Sequence, residues 1–332
     1  MFIYYYFLGI AAVLGLLVGS FLNVVIHRLP LGESVVRPRS RCPSCGNAIG
    51  WYDNIPVLSW LILRGRCRRC ATPISARYAL VELLTCVVSV AVFWQTVPGI
   101  DVHHLAPTLG AAGEVWGAPS TPSWVQLLTW LFYFTFFAGM IAVFFIDLRH
   151  YIVPNEITFV LLPLGLAGCT GLWFLGAEVP HPLQALAGAV AGGGVLLVVG
   201  LAGSWIFRKE AMGMGDVKLL ATIGAFLGAW PTLLVVVMLS AVGGSLIGIA
   251  LRLAGRAQHG VPPDPRDESE AGTEAEAEAE AESESETESV AETEEGPPVG
   301  YYIPFGPFLV AAAFIHFLAG DLLIGLYTAS IF

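Results

Sequence analysis

The chain has 332 residues, of which 56% are hydrophobic and only 13% charged, with a mean hydropathy of +0.72. Few soluble folds of this length bury that much apolar surface, which argues against an ordinary water-soluble enzyme and makes a polytopic membrane protein the default class. The net charge of −10 misleads, because fifteen acidic residues lie within 261–300 and the rest of the chain is mildly basic.

In chain order, apolar stretches predict about eight transmembrane helices at 2–26, 78–97, 124–146, 157–176, 183–207, 217–230, 231–255 and 304–330. The sixth is short, and Trp230-Pro231 marks its boundary with the seventh. The first lacks a basic start and a small-residue cleavage site, so it is read as a retained span rather than a secretory signal. The domain reading follows: a first helix (1–26), a polar cysteine segment (27–77), helices two to seven (78–255), an acidic loop (256–302) and a last helix (303–332). All sixteen lysines and arginines fall on alternate connections, nine of them in 27–77. Under the positive-inside rule those connections are cytoplasmic and both termini face outward. No nucleic-acid partner is expected.

The polar segment carries Cys42-Pro-Ser-Cys45 and Cys67-Arg-Arg-Cys70. Two such CxxC turns can wrap four thiolates around a structural zinc, in a zinc-ribbon-like arrangement, with disulfides as the rival. A reducing cytoplasmic side favours zinc. Asp53 and Asn54 before Pro56 read as turn formers. Glu82, inside the second span, is a membrane-embedded acid that could serve a substrate amine or pair with an arginine. Gly188-Ala-Val-Ala-Gly192 reads as a close helix-packing surface. The acidic loop "EAGTEAEAEAEAESESETESVAETEE" holds almost no large apolar residue and is expected to be disordered. Its charge also raises electrostatic recruitment of a basic partner.

Two aspartates stand apart. "AVFFIDLRHYIVPNEIT" places Asp147 where the third span ends, on a short polar turn before Pro154, and "AMGMGDVKLL" places Asp216 where the sixth begins. Each has a plain structural reading, Asp216 as a helix N-cap and Asp147 as an interfacial partner of Arg149. Together, on one membrane face, they suit a pair in which one carboxylate activates water while the other donates to a carbonyl. The glycines of Gly213-Met-Gly215 permit close approach of a substrate. A proton- or cation-coupled transporter could use the same acids as a relay, but it leaves the four cysteines unexplained. A non-catalytic assembly scaffold is the third reading. Asp321 falls near the outward end of the last span and is set aside.

The stretches "GSFLNVVIHRLP", "RCPSCGNAIGWYDNIPVLSWLILRGRCRRC", "RYALVELLT", "IDLRHYIVPNEIT", "GMGDVKLL" and "IPFGPFLVAAA", in order from about 19 to 313, resemble the type IV prepilin peptidase family. The resemblance implies that Asp147 and Asp216 are a catalytic dyad of the GxGD kind. It implies a bacterial inner-membrane enzyme that cuts the basic leader from type IV prepilins or type II secretion pseudopilins at a Gly–Phe bond. The cysteine segment implies the bifunctional form, which then methylates the new N-terminus using S-adenosylmethionine. No Gly-rich loop of the soluble kind marks a methyl-donor site, and the acidic loop is not part of the family pattern.

Overall fold

The computed structural model describes residues 2–37, 40–42, 44–97, 123–207, 213–253 and 304–331. Its long helices are α1 (Phe2–Arg28), α3 (Arg77–Thr96), α4 (Ser123–His150), α5 (Asn155–Phe174), α6 (Pro182–Phe207), α7 (Met214–Leu227), α8 (Thr232–Leu253) and α9 (Gly306–Ile331). One short helix, α2 (Leu58–Ile62), lies in the polar segment. These eight long helices sit where the eight apolar stretches predict them, each end within about one turn. Six are long and apolar enough to cross a bilayer: α1, α3, α4, α5, α6 and α8. α7, at 14 residues, rises only about 21 Å, less than the hydrocarbon thickness. The apolar part of α9 with described side chains runs from Gly306 to Gly320. The protein is an all-α polytopic membrane protein.

The described residues form two compact units, 1–243 with 305–332, and Gly244–Pro304. The second holds the last turns of α8; the acidic loop that follows lies outside the described residues, as does the connection 98–122.

Within the first unit the packing is by small residues, because in lipid close backbone approach replaces the hydrophobic effect as the source of helix association. α1 lies against α3 along Ala11, Gly15 and Gly19. A Cβ on Gly15 would meet the Cys86 Cα at 2.7 Å, and one on Gly19 the Glu82 Cα at 2.7 Å. The Ser89 hydroxyl donates to the Ala11 carbonyl at 2.7 Å, and Trp130 Nε1 donates to the Ser89 carbonyl at 3.1 Å, which ties in α4. α6 meets α7 through the expected glycines: Gly188 lies on the Gly224 backbone, and a Cβ on Gly192 would meet the Leu220 carbonyl oxygen at 2.5 Å.

This packing makes a stability prediction. Gly188→Ala should destabilise the protein by about 1–3 kcal/mol through overpacking. Gly194→Ala, with nothing within 4 Å of the added methyl, should be neutral or stabilising by about 0.5–1 kcal/mol on helix propensity. Thermal unfolding of the two variants in one detergent checks this; equal midpoints would refute the close contact.

α4 is the central element, and most of its apolar stretch is buried. Its aromatic side chains hold two neighbours in register. Phe226 of α7 stacks on Phe136 and Phe132, with centroids 4.3 and 4.7 Å apart. Phe314 and Phe317 of α9 meet Phe137 edge-on, each at 5.1 Å. α4 thus carries α7 on one side and α9 on another, and this decides what meets at its C-terminal end.

Candidate active site

α4 continues through Leu148, Arg149 and His150, so Asp147 lies inside the helix rather than on the expected polar turn after it. The two basic residues in the last turn complement the negative end of the helix dipole and favour this extension. The break comes at Tyr151, at φ 55, and Pro154 then caps α5 in an extended conformation, as Pro154-Asn155 predicts. Asp147 is only 4% exposed. Its carboxylate accepts a hydrogen bond from the Gly306 backbone N–H at the start of α9 and lies within electrostatic range of Asp216.

Asp216 reaches this place from the first turn of α7. The helix N-cap is Gly213, extended at φ −68 and ψ 137, with no side-chain cap. The N-cap reading of Asp216 therefore does not hold. Nor does Asp147 pair with Arg149: the ion pair among the described residues is Arg68–Asp53. Gly215 lets the turn approach the α4–α5 connection, since a Cβ there would meet Val153 Cβ at 2.9 Å. Lys218 fixes the same turn to α5, donating to Asn155 Oδ1 at 2.8 Å with its ammonium 5.2 Å from the Phe159 ring centroid.

Gly306 is the site residue that the sequence reading missed. A Cβ on it would fall against Asp147 Oδ2, and the same position faces Leu219 Cδ2 at 3.4 Å. The signal was present in the Pro304-Phe-Gly-Pro307 string, where a glycine between bulky residues marks close backbone approach.

The four cysteines converge as their spacing predicts. The Sγ atoms of Cys42, Cys45, Cys67 and Cys70 all lie within 4.8 Å of one another, with Cys42 and Cys70 at 3.7 Å and none in a disulfide. A tetrahedral zinc with bonds of about 2.3 Å needs sulfur separations of about 3.8 Å, so the donor set fits that ion. Each CxxC forms the same hairpin. Cys42 N–H donates to Asn47 O and Gly46 N–H to Cys42 O; Cys67 N–H donates to Thr72 O and Ala71 N–H to Cys67 O. Gly46 and Ala71 occupy equivalent left-handed positions, at φ 66 and 56. The alanine is strained there by about 1–2 kcal/mol.

The thiols also respond to one another. The Thr72 hydroxyl and backbone hold Cys70 down at about 6, and the N–H groups of Cys45 and Ser44 lower Cys42. Cys45 receives a favourable Asn47 N–H, yet desolvation and the neighbouring Cys70 and Cys42 sulfurs push it up to about 11. Four cysteine sulfurs at this spacing could hold a cation, which would bind them as thiolates.

Asp53 sits in a tight turn and takes a bidentate contact from Arg68, which donates from Nε to Oδ2 at 2.9 Å and from its terminal nitrogen to Oδ1 at 2.6 Å, and this clamps the turn to the second CxxC. Glu82 is buried and accepts from the Val57 N–H at 2.7 Å and from Ser20. It joins the polar segment to α3 and makes no ion pair with an arginine among the described residues.

A buried carboxylate at the end of α4, a half-buried one at the start of α7, a backbone N–H aimed at the first and a four-thiol cluster that could hold a metal describe a membrane protein with two acids at one site. Sequence comparison supplies the family. Residues 13–96 match the bacterial peptidase A24 N-terminal domain and residues 134–249 the type IV leader peptidase family. A "Prepilin leader peptidase/N-methyltransferase" of Myxococcus xanthus (strain DK1622) is 42% identical over 246 residues, which is 74% of this chain and 63% of that relative. Proteins of the same name from Aeromonas hydrophila and Stutzerimonas stutzeri are 36% and 33% identical, covering 92% and 94% of this chain and 88% and 90% of theirs. No solved structure matches. The chain belongs to the type IV leader peptidase family.

Proposed function

We propose that this protein is a membrane aspartic endopeptidase with Asp147 and Asp216 as its catalytic pair. It removes the basic leader of type IV prepilins or type II secretion pseudopilins at a Gly–Phe type bond and then methylates the exposed N-terminal amine. The observation that carries the reading is the meeting of two acids from α4 and α7 at one site, with Gly306 N–H bound to Asp147. The names of the relatives support the substrate and both activities. S-adenosylmethionine is the methyl donor on this reading, as substrate, and no described residue is assigned to it.

The chemistry follows from the paired carboxylates, which share one proton. The ionised member takes a proton from a water placed between them, and that water attacks the scissile carbonyl. The protonated member donates to the carbonyl oxygen as it becomes tetrahedral. Collapse of that intermediate breaks the C–N bond: the departing amine takes the proton held by the first carboxylate, and the hydroxyl that becomes the new carbonyl returns its proton to the second. The Gly306 N–H orients the Asp147 carboxylate, and the bare Gly306 Cα leaves room for its oxygen.

Zinc held by Cys42, Cys45, Cys67 and Cys70 stabilises the polar segment on this reading, which is too small for a large core. The charge partition supports an inner-membrane protein with both termini outside, the cysteine segment and both aspartates being cytoplasmic. A leader is basic and the pilin that follows is an apolar helix, so the bond between them falls at that boundary. The 27–77, 78–255, 256–302 and 303–332 segments are then the zinc segment, the catalytic bundle, the acidic loop and the helix that supplies Gly306.

Coexpression with a prepilin tests the reading: leader removal should require both aspartates. Gly306 provides an independent check. Gly306→Ala should displace the Asp147 carboxylate and cost about a hundred-fold in cleavage, whereas Gly9→Ala, open on all sides, should cleave as wild type. Full activity in Gly306→Ala would separate that glycine from the site.

A further inference from the structure

The short helix α2 has one face used and one face bare. Ser59 is buried, Trp60 Nε1 donates to the Ile74 carbonyl at 3.1 Å, and the Trp60 ring covers Gly65. Leu58, Leu61 and Ile62, at the i, i+3, i+4 spacing of the opposite face, are 56%, 56% and 73% exposed. A helix of five residues has no stability of its own in water, so this face is held out by the segment around it.

Its level relative to the bundle is fixed by one contact. The Val57 N–H, immediately before α2, donates to Glu82, the sixth residue of α3, about 8 Å inside that helix from its start. Val57 is held in a tight turn at φ 60 and ψ −49, a positive-φ conformation that a β-branched residue adopts only under constraint. On either side of Glu82, Leu80 and Leu83 of α3 are exposed apolar residues of a membrane-spanning helix. The lipid-facing surface of the bundle therefore extends to the level at which α2 begins. Arg64 and Arg66 follow α2, and both are exposed, as side chains that keep their charge among headgroups while their stems lie on apolar surface.

We propose that α2 is seated in the bilayer: Leu58, Leu61 and Ile62 enter the boundary between headgroups and acyl chains on the side of the cysteine segment, and Arg64 and Arg66 meet lipid phosphates. The contact holds the cysteine segment on the membrane surface, as an interfacial amphipathic element does. The occupant is lipid rather than polypeptide because Val57, immediately before the bare face, is tied to Glu82, which lies between the exposed Leu80 and Leu83 of a membrane-spanning helix.

The test uses the full-length protein in nanodiscs of phosphatidylethanolamine and phosphatidylglycerol. The photo-crosslinker p-benzoylphenylalanine replaces Leu61, Ile62, Leu83 or Val36 in separate proteins, and phospholipid adducts are counted by mass spectrometry. Positions 61 and 62 should give yields like that at 83, about tenfold above the exposed loop position 36, as expected for an apolar face at the acyl boundary. Yields at the level of position 36 would overturn the proposal. So would adducts at 61 and 62 that pass from lipid to an added prepilin, which would make the face a polypeptide dock. A second readout needs no crosslinker: Leu61→Ser with Ile62→Ser should speed trypsin cleavage after Arg64 in nanodiscs by about tenfold as the seat is lost, and unchanged cleavage would count against it.

Discussion

Asp147→Asn or Asp216→Asn is expected to abolish leader removal, by a factor of at least about a thousand, while the protein still accumulates in the membrane. The size follows from the role: a positioned acid or base contributes about 10²–10⁴-fold, and an aspartate pair works as a unit, so losing one member removes most of the effect of both. The asparagine is nearly isosteric. At position 147 it can still accept the Gly306 N–H, and at position 216 it leaves the Gly213-capped turn unaltered. Folding is therefore not the variable. Coexpression with a prepilin, read as the ratio of leader-bearing to processed pilin, gives the result directly. The double variant should be no worse than either single one. Processing that continues in either single variant would remove the dyad.

Loss of the metal site is the second large effect. Purified wild type is expected to contain one zinc per chain, and Cys67→Ser with Cys70→Ser none. Structural zinc contributes about 10–16 kcal/mol of apparent binding free energy to segments of this kind. The polar segment should accordingly open to trypsin at the arginines that flank the second CxxC, Arg64, Arg66, Arg68 and Arg69. The helices should remain assembled, because α1 and α3 are joined by Gly15, Gly19 and the Ser89–Ala11 hydrogen bond and not by the cysteines. Leader removal should persist at a level that the dyad variants never show, since Asp147, Asp216 and Gly306 all belong to α4, α7 and α9. Metal analysis with limited proteolysis checks both halves. A folded wild-type preparation without zinc would refute the assignment.

The four cysteines show how a short-range pattern survives into the fold. Each CxxC closes its own hairpin through hydrogen bonds between residues five or fewer apart, so spacing alone announces the geometry. The helices are equally legible, because a bilayer demands apolar stretches of fixed length and satisfied backbone groups. The break after α4 was readable from Pro154 and Asn155 for the same local reason. Asp147 was recognised by type and position, though the helix extends past it and buries it.

What the residue order by itself determined is therefore the class of protein, the number and places of its helices, the cysteine cluster and the two acids worth pairing. Only the tertiary structure decided that α4 is the hub, that Gly306 donates to Asp147, and that Glu82 receives the Val57 N–H instead of an arginine. These facts depend on how each helix is rotated about its axis. α4 and α9 are apolar on nearly every side and carry no stripe from which a buried face can be read. Their orientation is settled by aromatic rings and bare glycine backbones meeting across helices that lie far apart along the chain.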